Sequence, residues 1–210
     1  GSPFSPGVTP IPALQYAMGA IRDPEHGGAV HGDPAEVERQ FIIPVEEPRA
    51  NQALVYVLAS EVNFNDIWAI TGIPVSQFDN HDRDYHVTGS GGIGLVAALG
   101  EEARRQGRLK VGDLVTIFSG QSDLLSPAQG LDPMVADFFI QGNETPDGSH
   151  QQFMLAQAPQ LLPAPPDLSI EAAGSYVLSM GTVYRALFTC LRIVNGRTIF
   201  VEGAATGTGY

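Results

Sequence analysis

Thr198-Ile199-Phe200-Val201-Glu202-Gly203-Ala204-Ala205-Thr206-Gly207-Thr208-Gly209-Tyr210 reads as a buried β-strand running into a glycine-rich turn. Residues without a Cβ let backbone N–H groups approach a pyrophosphate at the start of a helix, the way dinucleotide-binding folds open. The glycines Gly203, Gly207 and Gly209, with Ala204 and Thr206 in the same turn, are the candidate cofactor-binding positions. The helix, the next strand and the ribose-reading residue are expected after Tyr210, so the chain reads as the N-terminal portion of a longer protein. Taken alone, such a stretch serves equally well as an ordinary loop. What precedes it decides.

Upstream lies a helix. Ser169 is a good N-cap, and Glu171 sits in the first turn, where the backbone dipole favours an acid. Ala173, Tyr176, Val177, Met180, Tyr184, Leu187, Phe188 and Leu191 recur at helical spacing on one face, and Asn195-Gly196 ends the pattern. Before Pro163-Ala164-Pro165-Pro166-Asp167 the period is that of strands. Short apolar runs occupy 40–45, 53–59, 114–118 and 152–156, with Lys110-Val111-Gly112-Asp113 as a turn. His86-Val87-Thr88 leads into Gly89-Ser90-Gly91-Gly92-Ile93-Gly94-Leu95-Val96-Ala97-Ala98-Leu99, a mixture expected where a strand bends at a barrel corner. The chain thus reads as mainly β with some α: a partly open β-barrel, a connecting helix, and the first strand of a dinucleotide-binding domain. Residues 1–37, rich in Pro, Gly and Ala, read as an irregular lead-in with a short helix over 13–21. The predicted divisions are 1–37, 38–168 and 169–210.

Composition narrows the function classes. With 210 residues, 43% of them hydrophobic, the chain can hold one large domain or a domain and a piece of a second. No apolar run approaches the ~20 residues of a membrane helix, and no signal peptide is visible. Cys190 is the sole cysteine, which agrees with a reducing cytoplasm. Twenty-three acidic against 11 basic residues give a net charge of −12, which repels nucleic acid and anionic lipid. Arg104, Arg105, Arg108 and Lys110 form a basic cluster that reads as a solvated loop. Zinc needs three or four deprotonated ligands in tetrahedral array. One cysteine and the histidines at 26, 31, 81, 86 and 150 do not offer that spacing, so no metal site is expected.

The order of barrel, helix and glycine turn resembles the medium-chain dehydrogenase/reductase superfamily, with its GroES-like catalytic barrel. The stretches that carry the likeness are Val62-Asn63-Phe64-Asn65-Asp66-Ile67-Trp68, Asp84-Tyr85-His86-Val87-Thr88-Gly89-Ser90, Gly142-Asn143-Glu144-Thr145 and Gly181-Thr182-Val183-Tyr184-Arg185. These are similar to the crotonyl-CoA carboxylase/reductase branch of enoyl-CoA reductases, and in kind to the reductase module of a propionyl-CoA synthase. The resemblance implies NADPH-dependent reduction of a short-chain 2-enoyl-CoA such as acrylyl-CoA or crotonyl-CoA, in a cytoplasmic homo-oligomer or a larger multidomain chain. It implies little activity for these residues alone. Reductive carboxylation with CO2 is the alternative, and a non-catalytic GroES-like scaffold a further one. Three departures stand out: Gly91-Gly92-Ile93 where relatives carry an Asp, Thr206 for the middle glycine of the turn, and Asn143 where carboxylating relatives have an aromatic residue.

Read from the residues, Asn65 lies in a turn where its amide either satisfies loop backbone or points into a cleft. Glu144 is either a solvated loop acid or a carboxylate that holds water or relays a proton. The resemblance assigns both to the catalytic side, because they match the asparagine and glutamate beside the CO2 site of carboxylating relatives. Thr182 falls on the helix that in this superfamily passes beneath the nicotinamide, so its hydroxyl is a candidate cofactor contact. Asn63 and Asp66 read as organisers of the turn, His86 as structural, and Trp68 as a packing anchor.

Overall fold

The computed structural model describes residues 4–23, 28–122 and 138–208. Its strands are β1 (Leu14–Asp23), β2 (Gly28–Ala29), β3 (Arg39–Pro44), β4 (Gln52–Ser60), β5 (Tyr85–Val87), β6 (Gly91–Leu99), β7 (Leu114–Phe118), β8 (Gly120–Ser122), β9 (Phe138–Ile140), β10 (Phe153–Gln157) and β11 (Leu161–Pro163). The helices are α1 (Pro34–Val37), α2 (Phe64–Thr71), α3 (Glu101–Gln106), α4 (Ile170–Ser175) and α5 (Val177–Tyr184). Strands β10-β4-β6-β7-β11 make an antiparallel sheet, and β1 pairs with β2, β3 and β5 in another. Bridges Ala17–Gln151 and Val87–Asp147 tie the segment before β10 to the second sheet, which partly closes the barrel.

The core lies on the inner face of the larger sheet. Ala53 and Val55 of β4, Val96 and Leu99 of β6, Val115 and Ile117 of β7, and Met154 and Ala156 of β10 pack together. Burying each Val, Leu, Ile or Met in this way contributes roughly 1.5–3 kcal/mol. The glycines of β6 are required by close approach: a Cβ on Gly94 would lie 2.3 Å from the Tyr56 carbonyl oxygen. The β4–β6 register shifts at Leu54/Val55 and Val57/Ala59, the local bend expected of this run.

Three expectations are corrected. Residues 13–21 do not form a helix within an irregular lead-in, because Leu14–Asp23 is a ten-residue strand. Its residues Gln15, Ala17 and Ala20 are buried while Leu14, Tyr16 and Met18 face out, and Leu14 to Gly19 pair one for one with Pro44 to Arg39. Ala, Leu, Gln and Met favour helix locally, but two partner strands outweigh that preference. At Gly19 the strands come so close that a Cβ would sit 2.0 Å from the His86 carbonyl oxygen.

The connecting helix is the second. Tyr176 separates α4 from α5, and a wider π turn follows over Arg185–Cys190. Ala173 and Val177 are buried, whereas Met180, Tyr184, Phe188 and Leu191 are exposed. Only the first half meets the sheet, with Gly174 against Ala59 and Ile93 and Gly181 against Phe118.

The third is the strand over 198–202, which carries no ladder pairing. Phe200 is 88% exposed, and among the described residues no strand lies beside it to accept its backbone groups. A strand exists only with a partner. The basic cluster is helical in part: Arg104 and Arg105 lie exposed on α3, and Arg108 donates to the Ala158 carbonyl oxygen. Among the described residues no helix is long and apolar enough to cross a membrane.

Candidate functional site

A cleft of about 880 Å³ opens between the end of β4 and the α4–α5 pair. Ser60, Glu61, Asn63 and Phe64 form one wall, and Ala172, Ser175, Tyr176 and Met180 the other, with Gly207 of the glycine-rich turn also on the lining. The barrel wall is held rigidly. Asn63 caps α2 by accepting the Asn65 N–H at 2.8 Å, and Asp66 reaches back to the Asn63 N–H at 2.8 Å, completing a capping box. The second Asp66 oxygen accepts the Gly89 N–H at 2.8 Å, which bolts α2 to the turn before β6. Asn63 and Asp66 thus organise this segment.

The sequence-predicted residues divide. Asn65 stands in the first turn of α2 and not in a loop, because the capping box starts the helix one residue earlier. Its neighbours Asn63 and Phe64 line the cleft, while Asn65 itself is partly buried beside it. Glu144 lies in the loop after β9, where one carboxylate oxygen accepts the Ile140 N–H at 2.7 Å. Thr182 is exposed, and its hydroxyl donates to the Leu178 carbonyl at 2.8 Å within its own helix. Gly203 has φ +71°, and both the N–H and the hydroxyl of Thr206 turn back onto its carbonyl, at 2.9 and 2.8 Å. Ala204 is exposed in the same turn, and Gly209 lies outside the described residues. Gly207 is the candidate cofactor residue that the fold brings to the cleft.

Glu61, which the motifs did not single out, is the most perturbed acid on that lining. It is 7% exposed, and its Oε1 is buried without a hydrogen-bond partner. Burial, with the Asp66 carboxylate nearby, pushes its carboxyl up to about 8 from the usual carboxylate range. Gly91 makes room for it: a Cβ there would lie 2.5 Å from Oε1. The available signal was an acid closing an apolar strand, one residue before Val62-Asn63-Phe64-Asn65-Asp66.

The histidines form a wire of fixed direction. His86 is fully buried, and burial lowers it to about 4, so it is neutral near pH 7. Its Nε2 donates to the Gly142 carbonyl at 3.0 Å, which leaves Nδ1 to accept from His81 Nε2 at 3.1 Å. His81 Nδ1 then accepts the Arg83 N–H at 3.3 Å. His86 is structural and holds the loop that carries Glu144. Because the unfolded chain protonates His86 near 6.5 and the folded chain near 4, stability is full above 6.5 and falls as pH drops through that window. The loss amounts to about 3 kcal/mol. Urea titrations at pH 7 and 4.5 should show this acid slope in the parent and a shallower one in His86→Gln; equal slopes would refute it. Among the described residues no three of His, Cys, Asp and Glu converge as a metal site would require.

A partly open barrel, a capped helix at its mouth and a connecting helix that completes the cleft define the catalytic-domain architecture of the medium-chain dehydrogenases and reductases. The alcohol dehydrogenase GroES-like domain family matches residues 49–166, and the chain belongs to it. A crotonyl-CoA carboxylase/reductase of Cereibacter sphaeroides is 37% identical over 97% of this chain and 46% of its own length. A crotonyl-CoA reductase of Streptomyces avermitilis is 32% identical over 92% of this chain and 45% of its own. Among solved structures, a 2-octenoyl-CoA carboxylase reductase in complex with NADP and 2-octenoyl-CoA superposes with a TM-score of 0.85 at 30% identity, covering 95% of this chain and 48% of that one. The chain spans about half the length of the curated relatives it matches.

Proposed function

We propose that this chain is the substrate-side barrel of an NADPH-dependent reductase of short-chain 2-enoyl-CoA thioesters, such as acrylyl-CoA or crotonyl-CoA. The observation that carries this reading is the cleft, whose lining joins the α2 cap, the buried Glu61 and the glycine-rich turn. The residues fit a nicotinamide nucleotide in one respect: Gly207 offers bare backbone on that lining, with Ser179 Oγ 3.7 Å from where a Cβ would stand. Gly203, Ala204, Thr206 and Gly207 would hold its phosphates, and Thr182 would contact its ring. The bound nucleotide supplies a hydride. The preference for NADPH is drawn from the relative solved with NADP.

The barrel's own residues bind and orient the thioester. The Asn63 amide carries a buried Nδ2 without a partner, a donor available to an acyl oxygen in the same cleft. Phe64 and Met180 offer apolar surface for a short acyl chain. Reductive carboxylation is the second reading, favoured by the relative's own name and by the resemblance of the stretches that hold Asn65 and Glu144 to carboxylating enzymes. Asn143 supports reduction instead: its Oδ1 is buried and unpartnered beside Glu144. A polar atom there retains water, a proton source, where an aromatic ring would exclude it.

In the full-length polypeptide, Asn65→Asp and Glu144→Gln are expected to change the ratio of carboxylated to reduced product under high bicarbonate more than the rate of NADPH oxidation. If both variants leave ratio and rate within about twofold, under ~0.5 kcal/mol at the transition state, these two residues are structural. Absence of enoyl-CoA-dependent NADPH oxidation in the parent would overturn the reading itself.

A further inference from the structure

Glu61 is a costly residue to keep where it is. A carboxyl at 7% exposure with an unpartnered oxygen contributes nothing to folding that an apolar residue would not exceed. Among the described residues no hydrogen bond to its Oε1 caps a helix or closes a turn, in contrast to Asp66, both of whose oxygens are engaged. The site is nevertheless built around it. Gly91 leaves the space its carboxyl occupies, and the His150 ring, bonded to the Glu61 carbonyl at 2.8 Å and to the Thr88 hydroxyl at 2.8 Å, fixes its backbone. Glu61 is on the lining of the cleft, with Oε1 itself buried behind that wall.

We propose that Glu61 is the proton donor of this cleft, delivering its carboxyl proton to the α-carbon of the acyl thioester. The proposal rests on the enoyl-CoA reductase reading. Once the β-carbon has been reduced, the substrate is an enolate. Its π pair forms the new C–H bond at the α-carbon, the thioester C=O re-forms, and the Glu61 O–H bond breaks with its electron pair staying on the carboxylate. The carboxylate recovers a proton from water entering the cleft. An acid held neutral to about pH 8 has its proton in place at neutral pH, whereas a solvated glutamate would have lost it.

The charged and titratable groups around Glu61 favour this state. From α2, the Asp66 carboxylate opposes a second negative charge. From the segment before β10, His150 favours the ionised form of Asp66, whereas Glu38, the cap after α1, opposes it. From β6, Gly91 brings no side chain at all. Across the cleft, Tyr176 brings a phenol, the alternative proton source on the lining.

The test uses the full-length enzyme and crotonyl-CoA. Glu61→Gln is expected to lower kcat at pH 7 by about 100-fold and to abolish an alkaline limb near pH 8 in the parent's kcat profile. Gly91→Ala, which drives a methyl against Oε1, should reproduce the loss with Glu61 still present, and Glu61→Asp should restore part of it. Two readouts need no turnover: the Glu61 carboxyl should titrate near 8 by carbon NMR, and the parent, but not Glu61→Gln, should exchange the α-protons of the saturated acyl-CoA in heavy water. A parent that reduces crotonyl-CoA while Glu61→Gln keeps kcat and the alkaline limb within twofold overturns the proposal and leaves the reductase reading standing. The loss appearing in Tyr176→Phe in place of Glu61→Gln also overturns it. A parent that does not reduce crotonyl-CoA overturns the reading on which it rests.

Discussion

Glu61→Gln is expected to stabilise the chain at pH 9 by roughly 5 kcal/mol while leaving its stability at pH 4 nearly unchanged. The unfolded chain loses the Glu61 proton near 4.5 and the folded chain near 8. Between those values unfolding releases a proton, so the parent's stability is full below 4.5 and falls as pH rises through 8. Each pH unit of separation corresponds to about 1.36 kcal/mol. Gln has nearly the shape of the neutral acid and cannot ionise, so the variant escapes the penalty. The check is a pair of urea titrations at pH 4 and 9, comparing midpoints at equal m-values. A variant no more stable than the parent at pH 9 would mean that the carboxyl is hydrated in the folded state. A gain of that size from one substitution at a buried acid would mark a residue kept for chemistry at the expense of stability.

Gly142→Ala should cost at least about 3 kcal/mol and weaken the whole loop that carries Glu144. Gly142 has φ +84°, where an L residue pays roughly 1–2 kcal/mol. The added Cβ would also lie 2.0 Å from the Gly89 carbonyl oxygen and 2.9 Å from Gly148 Cα. Both obstacles are backbone, so no rotamer change relieves them, and overpacking adds about 1–3 kcal/mol. Relieving the collision shifts Gly142, whose own carbonyl accepts from His86, so a buried ring N–H loses its partner as well. Gly112→Ala is the control: its φ is +94°, but nothing lies within 4 Å of the new methyl, so it carries the backbone strain alone. Denaturant midpoints of the two variants separate strain from collision. Equal losses would show that the loop yields and that the His86–Gly142 contact does not hold it.

Local sequence carried much of the barrel. Runs such as Leu114-Val115-Thr116-Ile117-Phe118 alternate or concentrate apolar residues in ways only a strand satisfies, and the glycines of β6 mark its bend. Ser169 marked the start of α4, accepting the Ala172 N–H at 3.2 Å, because a cap acts within one turn. Asn63 and Asp66 were legible as organisers for the same reason, although the helix they begin was not foreseen.

What the sequence by itself determined is therefore whatever a few neighbouring residues enforce: strand periodicity, caps, glycine bends, and a motif order specific enough to imply the family. Only tertiary structure decided the rest. The strand Leu14–Asp23 exists because β3 and β5 lie on either side of it, and residues 198–202 form none because no described strand flanks them. Glu61 becomes a neutral acid only when β6, 30 residues away, supplies a glycine beside it and α2 supplies the Asp66 charge. Pairing partners and the dielectric around a carboxyl are set by segments distant in sequence, and no local pattern records them.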